Sequence, residues 1–154
     1  MRSTGESMGI DADPYLAYYK AQLGAGVKLP LQGTVLLIGD DLQPVAALFE
    51  EQGYEVLTRG AQEQDAATPG ANGQAGPDES DAREATFDLL VDTTVGPLAR
   101  LTVDAGIPLV TTREAALWTA RALAAARSHG LTVRALQDAE VPDQVAQATS
   151  STRK

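Results

Sequence analysis

The stretch between residues 88 and 126 constrains the fold of this chain more than any other. It contains two short apolar runs, Leu89 to Val91 and Ile107 to Val110, and each is followed by a pair of threonines and then by helix-forming sequence. Short strands connected by a helix run parallel, because only a long connection returns the chain to the same end of the sheet. The sequence therefore predicts an α/β protein with a parallel sheet. The threonine pairs then lie at the carboxyl ends of two strands, where open α/β sheets usually bind ligands.

The region before this stretch supplies two more strands and a helix between them. Thr34 to Ile38 and Tyr54 to Thr58 are rich in apolar and β-branched residues, and the segment from Pro44 to Gln52 has helical spacing. Consecutive β-α-β units of this kind form a doubly wound sheet with right-handed crossovers. We predict a flavodoxin-like, three-layer domain of about four to five strands. Residues 131 to 136 could add one last short strand.

Other segments set the domain boundaries. Residues 1 to 33 hold an amino-terminal tail and a linker helix, which begins at Asp13-Pro14, places Leu16, Tyr19 and Leu23 on one stripe and has two further tyrosines beside it. Those tyrosines pack on the chain's own domain or form a surface for a partner domain. Residues 34 to 138 form the main domain, and residues 139 to 154 are expected to be a disordered tail.

Within the main domain, residues 61 to 85 are rich in glycine, proline, alanine and acidic side chains. Such a segment cannot bury enough apolar surface to offset its ordering entropy, so we expect a mobile loop. A helix over residues 79 to 85 is the weaker alternative.

Composition and charge exclude several classes of function. The 154 residues include no cysteine, which excludes disulfides, zinc–thiolate sites and cysteine nucleophiles. The formal charge of -9 argues against nucleic-acid binding, which depends on lysine and arginine. We find neither a signal-peptide core nor a stretch of about 20 apolar residues that could span a membrane. A soluble, cytoplasmic protein without membrane contact is therefore expected.

The candidate site is the carboxyl edge of the predicted sheet. Threonine hydroxyls and free helix N–H groups suit a carboxylate or phosphate there, although such threonines are often ordinary helix caps. Asp40, Asp41 and Asp92 should lie at the same edge and attract a cation or amine, unless Asp40 or Asp41 only caps the next helix. No lysine occurs between Lys28 and Lys154. We predict no catalytic residues, metal or cofactor, because nothing assembles a nucleophile, a base and an orienting group.

Several segments occur together in the order and spacing of one known family. They are STGESMG near the start, KAQL at residue 20, FDLLVDTTVG, GIPLVTTREAALWTARAL and LTVRALQD. Over about residues 2 to 138 the chain resembles the carbamoyl phosphate synthase large subunit, from the end of its second ATP-binding half into its carboxyl-terminal allosteric domain. The resemblance implies a methylglyoxal synthase-like fold and a regulatory domain without catalytic activity of its own. The whole enzyme is an ATP-dependent, glutamine-hydrolysing ligase of pyrimidine and arginine biosynthesis.

The resemblance also implies partners and effector-binding residues. The partners are the synthetase domains of the same subunit, a glutaminase small subunit and the effectors ornithine, UMP or IMP. Thr58 matches a threonine of the phosphate pocket, Asp92 stands where the family often has asparagine, and Thr111 matches a threonine that faces ornithine at a domain boundary. The predicted effector-binding residues are Thr58, Arg59, Asp92, Thr93, Thr94, Thr111 and Thr112.

Departures from the family pattern weaken part of this prediction. The lysines expected after the first strand and near the third strand are absent, the third strand itself has no counterpart, and Ala61 replaces a second phosphate-binding threonine. We therefore expect control by nucleotide monophosphates to be weak or lost. The catalytic aspartate loop of methylglyoxal synthases has no counterpart either. The alternative is a stand-alone small-molecule-binding protein or methylglyoxal synthase-like enzyme.

Overall fold

The computed structural model describes residues 6–60 and 86–133, which form a parallel sheet between layers of helices. The strand order is β2-β1-β3-β4, and every neighbouring pair is parallel. This confirms the predicted α/β doubly wound sheet, with four strands in the described part of the chain. Residues 61 to 85 and 134 to 154 lie outside that part, and so do the mobile loop, the alternative helix and the tail predicted for them. The elements are α1 (Pro14–Gly24), β1 (Thr34–Ile38), α2 (Gln43–Glu51), β2 (Glu55–Arg59), β3 (Leu89–Asp92), α3 (Pro97–Asp104), β4 (Leu109–Val110) and α4 (Arg113–His129).

Each face of the sheet has its own apolar core because side chains alternate along a strand. The larger core joins Leu37 and Val91 to Phe49 of α2 and to the buried alanines of α4. The smaller core lies on the opposite face, where Leu36, Ile38 and Leu90 pack near Leu98 of α3. Strands β1 and β3 are thus covered on both faces, which explains the unbroken apolar runs from Val35 to Ile38 and from Leu89 to Val91.

Helix α1 packs on its own domain, against α4. The Tyr18 hydroxyl lies 3.2 Å from the Thr119 Oγ1, and the Arg121 Nη1 donates to the Tyr15 hydroxyl at 3.2 Å. The Trp118 ring lies 5.1 Å from the Tyr15 ring. Of the two alternatives for the helix tyrosines, the structure therefore shows packing on the chain's own domain. The predicted stripe was partly wrong, because Leu16 and Tyr19 are buried but Leu23 is 37% exposed.

The residues before α1 form an extended strap over that helix. From residue 6 to residue 13 exposed and half-buried side chains alternate, as expected for an extended segment with one face covered. Gly9 lies so close to α1 that an added Cβ would stand 1.8 Å from the Ala17 carbonyl oxygen. Asp11 forms an ion pair with Lys20 at 2.6 Å. The strap and α1 are consequently a single packed unit.

Several helix ends differ from the sequence prediction. The Asp13 cap is confirmed, since its carboxylate accepts from the Tyr15 N–H at 2.7 Å. Helix α2 begins after Leu42 with no side-chain cap, so the suggestion that Asp40 or Asp41 caps it was wrong. Helix α4 is capped by Thr112, whose Oγ1 accepts from Ala115 N at 3.2 Å. Because Thr112 is the cap, the third helical position is Ala115 and not Glu114, so the Thr111 to Glu114 spacing that is typical of a capping box does not form one.

Strand ends also shift, for local reasons. Tyr54 precedes β2 because its ring packs edge-on against Phe49 at 5.4 Å and its hydroxyl donates to the Pro30 carbonyl at 2.7 Å. Strand β4 is shorter than predicted, since the Ile107 N–H bonds back to Thr102 at 3.0 Å and Pro108 has no N–H.

No strand follows α4 in the described residues, where positions 131 to 133 are exposed; the rest of the suggested final strand lies outside them. Helices α2 and α4 both pack into the larger core, on the same face of the sheet. A right-handed crossover from that face moves toward β2, as β1-α2-β2 does. A parallel strand beyond β4 would need the disfavoured left-handed crossover, which agrees with β4 being the edge strand of the sheet in the described residues.

Candidate effector site at the carboxyl edge of the sheet

The loops that follow the four parallel strands lie at one edge of the sheet. These strands end at Ile38, Arg59, Asp92 and Val110. Every predicted effector-binding residue lies within two positions of a strand end, as the sequence indicated. They do not converge on one cavity, however, and form three groups along the edge.

The first group lies in a cleft of about 370 Å³ between the ends of β1 and β2. Thr58 and Arg59 line this cleft together with Asp40 and Asp41, beside the uncapped start of α2. A helix amino terminus and a guanidinium favour an anion, whereas two exposed carboxylates favour a cation. The cleft therefore suits a small molecule with both charges better than a doubly charged phosphate. Its lining consists of Leu37, Gly39, Asp40, Asp41, Leu42, Gln43, Ala46, Thr58, Arg59 and Gly60.

The second group is the loop after β3, which is organised by the carboxylate of Asp92. This side chain is fully buried. Its Oδ1 accepts hydrogen bonds from Thr94 N at 2.9 Å, from Thr94 Oγ1 at 2.7 Å and from Val95 N at 3.0 Å. Its Oδ2 accepts from Gly96 N at 3.0 Å. Asp92 and the Thr94 hydroxyl therefore hold the start of α3 in place and do not project into the edge.

Thr93 connects this loop to the first cleft. Its N–H donates to the Ile38 carbonyl at 3.0 Å, and its Oγ1 donates to the same oxygen at 3.3 Å. The neighbouring Gly39 has a φ of 133°, and an added Cβ would stand 2.0 Å from the Thr93 Oγ1. Glycine is thus required both by the backbone conformation and by the close approach of the two loops.

The third group lies on the outer side of β4. Thr111 is exposed and lines a groove of about 670 Å³ with Tyr18, Gln22 and Lys28. Within the described residues no hydrogen-bond partner is found for its hydroxyl. The hydroxyl of Thr112 instead caps α4, as described above. Of the second threonine pair, only Thr111 therefore lines this groove.

Sequence reasoning missed Gly39 and Val95 of this edge and Lys28 of the groove beside β4. Gly39 could have been found from its position directly after a strand, and Lys28 from being the last lysine before the main domain. Val95 has a φ of 54°, which a β-branched residue rarely adopts, and no local sequence signal predicts it.

Two further findings on the described residues concern metal ions and membranes. Within residues 6–60 and 86–133 there is no group of three or more histidine, cysteine, aspartate or glutamate side chains that could hold a metal ion. None of the helices in those ranges is long and apolar enough to cross a membrane.

Comparison with known proteins identifies the relatives of this chain. It is 49% identical over 146 residues to the carbamoyl phosphate synthase large chain of Deinococcus deserti, covering 95% of this chain and 12% of the relative. It is 50% identical over 139 residues to that of Deinococcus radiodurans, covering 90% of this chain and 12% of the relative. A Thermus thermophilus protein of the same name is 46% identical over 138 residues, covering 90% of this chain and 11% of the relative. No family model matches the chain.

The chain is homologous to a segment of carbamoyl phosphate synthase large chains. Because it spans only about 12% of the first two relatives, it corresponds to one small part of such a subunit. The four-stranded parallel sheet is compatible with the methylglyoxal synthase-like domain that the sequence resemblance implied.

Proposed function

We propose that this chain is the regulatory, effector-binding domain of a carbamoyl phosphate synthase large chain. The observation that supports this most strongly is an identity of 49% to such a large chain over 95% of the sequence. The structure adds an edge with two openings, the cleft at Thr58 and Arg59 and the groove at Thr111. In this proposal the domain lies at the carboxyl end of the subunit in the cytoplasm, next to synthetase domains, and a glutaminase small subunit completes the enzyme. The domain itself needs no cofactor and has no catalytic role.

The charges at the edge favour an amine-bearing effector over a nucleotide. Asp40 and Asp41 are exposed in the cleft that contains Arg59. A nucleoside monophosphate has about two negative charges, and lysine or arginine contacts normally contribute roughly 1.5 to 3 kcal/mol each to binding them. We propose ornithine as the effector class and expect UMP and IMP to act weakly.

Calorimetric titration of the chain and of the full-length enzyme with ornithine, UMP and IMP tests this function. We expect UMP to bind the chain no tighter than about millimolar, with little change on Arg59→Ala. A micromolar dissociation constant at physiological salt, weakened by Thr94→Val, would contradict the electrostatic argument.

Assays of the chain alone test the absence of catalysis. We expect no ATP-dependent carbamoyl phosphate formation and no methylglyoxal formation from dihydroxyacetone phosphate. Turnover of either kind above background would favour a stand-alone enzyme instead.

A further inference from the structure

The backbone N–H groups at the amino-terminal end of α3 already donate to an anionic side chain of the protein itself. The backbone N–H groups of Thr94, Val95 and Gly96 all donate to the carboxylate of Asp92. The next residue, Pro97, has no N–H. A phosphate binds at a helix amino terminus through N–H groups that have no other acceptor. The three N–H groups that lead into α3 are occupied in this way, and the Ala99 N–H donates to the Gly96 carbonyl at 3.0 Å.

We propose that Asp92 is a specificity-determining residue, which closes the β3 end of the edge to phosphate-bearing effectors. A phosphate there would have to displace a buried, four-fold hydrogen-bonded carboxylate and would meet its negative charge. This inference rests on the proposed effector-binding function, and it names the ligand class that the site rejects. Amine-bearing molecules remain compatible with this local charge.

The other two helix starts at the edge are closed less completely. Helix α4 is capped by the neutral hydroxyl of Thr112, which accepts only from Ala115 N. Helix α2 has no side-chain cap, and Arg59 lines the cleft beside it. Of the three helices that begin at this edge in the described residues, α3 is therefore the one whose preceding N–H groups donate to a carboxylate of the protein itself.

The substitution Asp92→Asn in the full chain tests the proposal. An asparagine Oδ1 can keep the bonds from Thr94 and Val95, but its Nδ2 replaces the oxygen that accepts from Gly96 N. Two donors then face each other, and both can bind an added anion. We expect calorimetry to show inorganic phosphate binding the variant at least roughly tenfold more tightly than the wild type, because charge-assisted hydrogen bonds are gained. The Gly96 amide resonance should shift with phosphate in the variant only.

Glu114→Gln is the matched control, because it removes one exposed charge from the first turn of α4 at the same edge without releasing a backbone N–H. It should change phosphate affinity by less than about twofold, since exposed charges are screened. Equal effects of the two substitutions, or no gain with Asp92→Asn, would overturn the proposal.

The wild-type spectrum decides the matter even if the variant does not fold. A phosphate-dependent shift of the wild-type Gly96 amide would show that the end of α3 is open, and an unchanged resonance supports its closure. If the full-length wild-type enzyme did not respond to ornithine, that result would count against the proposed function and would leave these phosphate results intact.

Discussion

The substitution Leu16→Ala tests whether α1 belongs to the folded domain. Leu16 is 6% exposed and lies in the larger core with Tyr19 and the α4 alanines. Burying a leucine contributes about 1.5 to 3 kcal/mol, and a cavity left by truncation raises the cost of Leu→Ala to about 2 to 5 kcal/mol. We expect a loss of about 3 kcal/mol in the free energy of unfolding. In a domain of this size that lowers the thermal midpoint by roughly 6 to 12 °C.

Leu23→Ala on the same helix is the control. Leu23 is 37% exposed, and alanine forms helices at least as well as leucine, so the loss should stay below about 1 kcal/mol. Thermal and urea unfolding would measure both variants, with hydrogen exchange following α1 and β3 separately. If Leu16→Ala left the midpoint unchanged and only loosened the amides of α1, the helix would be a separate linker and the packing argument would be refuted.

Further predictions concern backbone strain, close approach and pH. Val95→Gly should raise the free energy of unfolding by about 1 kcal/mol, because it relieves the backbone strain of a valine held at a φ of 54°. A variant that is less stable than the wild type in urea unfolding would contradict this. Gly39→Ala should cost more than Gly130→Ala, since both have positive φ but only Gly39 meets another side chain; equal thermal midpoints would argue against the contact. Burial raises the pKa of Tyr54 to about 12, against about 10 in an unfolded chain. Because the folded pKa is the higher one, the stability that this group contributes is fully present below about pH 10 and is lost as the pH rises toward 12. The free energy of unfolding should therefore fall less steeply with pH in Tyr54→Phe than in the wild type. Identical pH profiles of the two proteins in urea unfolding would refute this.

The strands and their parallel order were predictable because short apolar runs alternate with helix-length segments. Val35 to Ile38 and Leu89 to Val91 are buried on both faces, so their sequences contain no polar residue. The start of α4 depended on which of two neighbouring threonines serves as the cap, and the start of α2 on whether Asp40 or Asp41 caps it at all. Spacing alone does not distinguish Thr111 from Thr112, because either hydroxyl can reach a free N–H of the first turn.

The division of the candidate site into three groups could not be predicted from the sequence. Sequence places Asp92 at a strand end but does not show whether its carboxylate faces a ligand or its own backbone. That choice depends on the loop conformation, in which Val95 adopts a positive φ without a glycine to indicate it. Likewise, the helical period predicts on which side of α1 Leu23 lies, but it does not predict how far the packing against α4 extends along α1.

Deletion of this domain from a full-length large chain tests the central claim most directly. Carbamoyl phosphate formation would be measured with and without ornithine, in the intact enzyme and in one that ends before α1 at Pro14. The account predicts that ornithine changes the rate of the intact enzyme and that the shortened enzyme keeps its basal rate but no longer responds. An unchanged ornithine response in the shortened enzyme would contradict the assignment of this chain as the effector-binding domain.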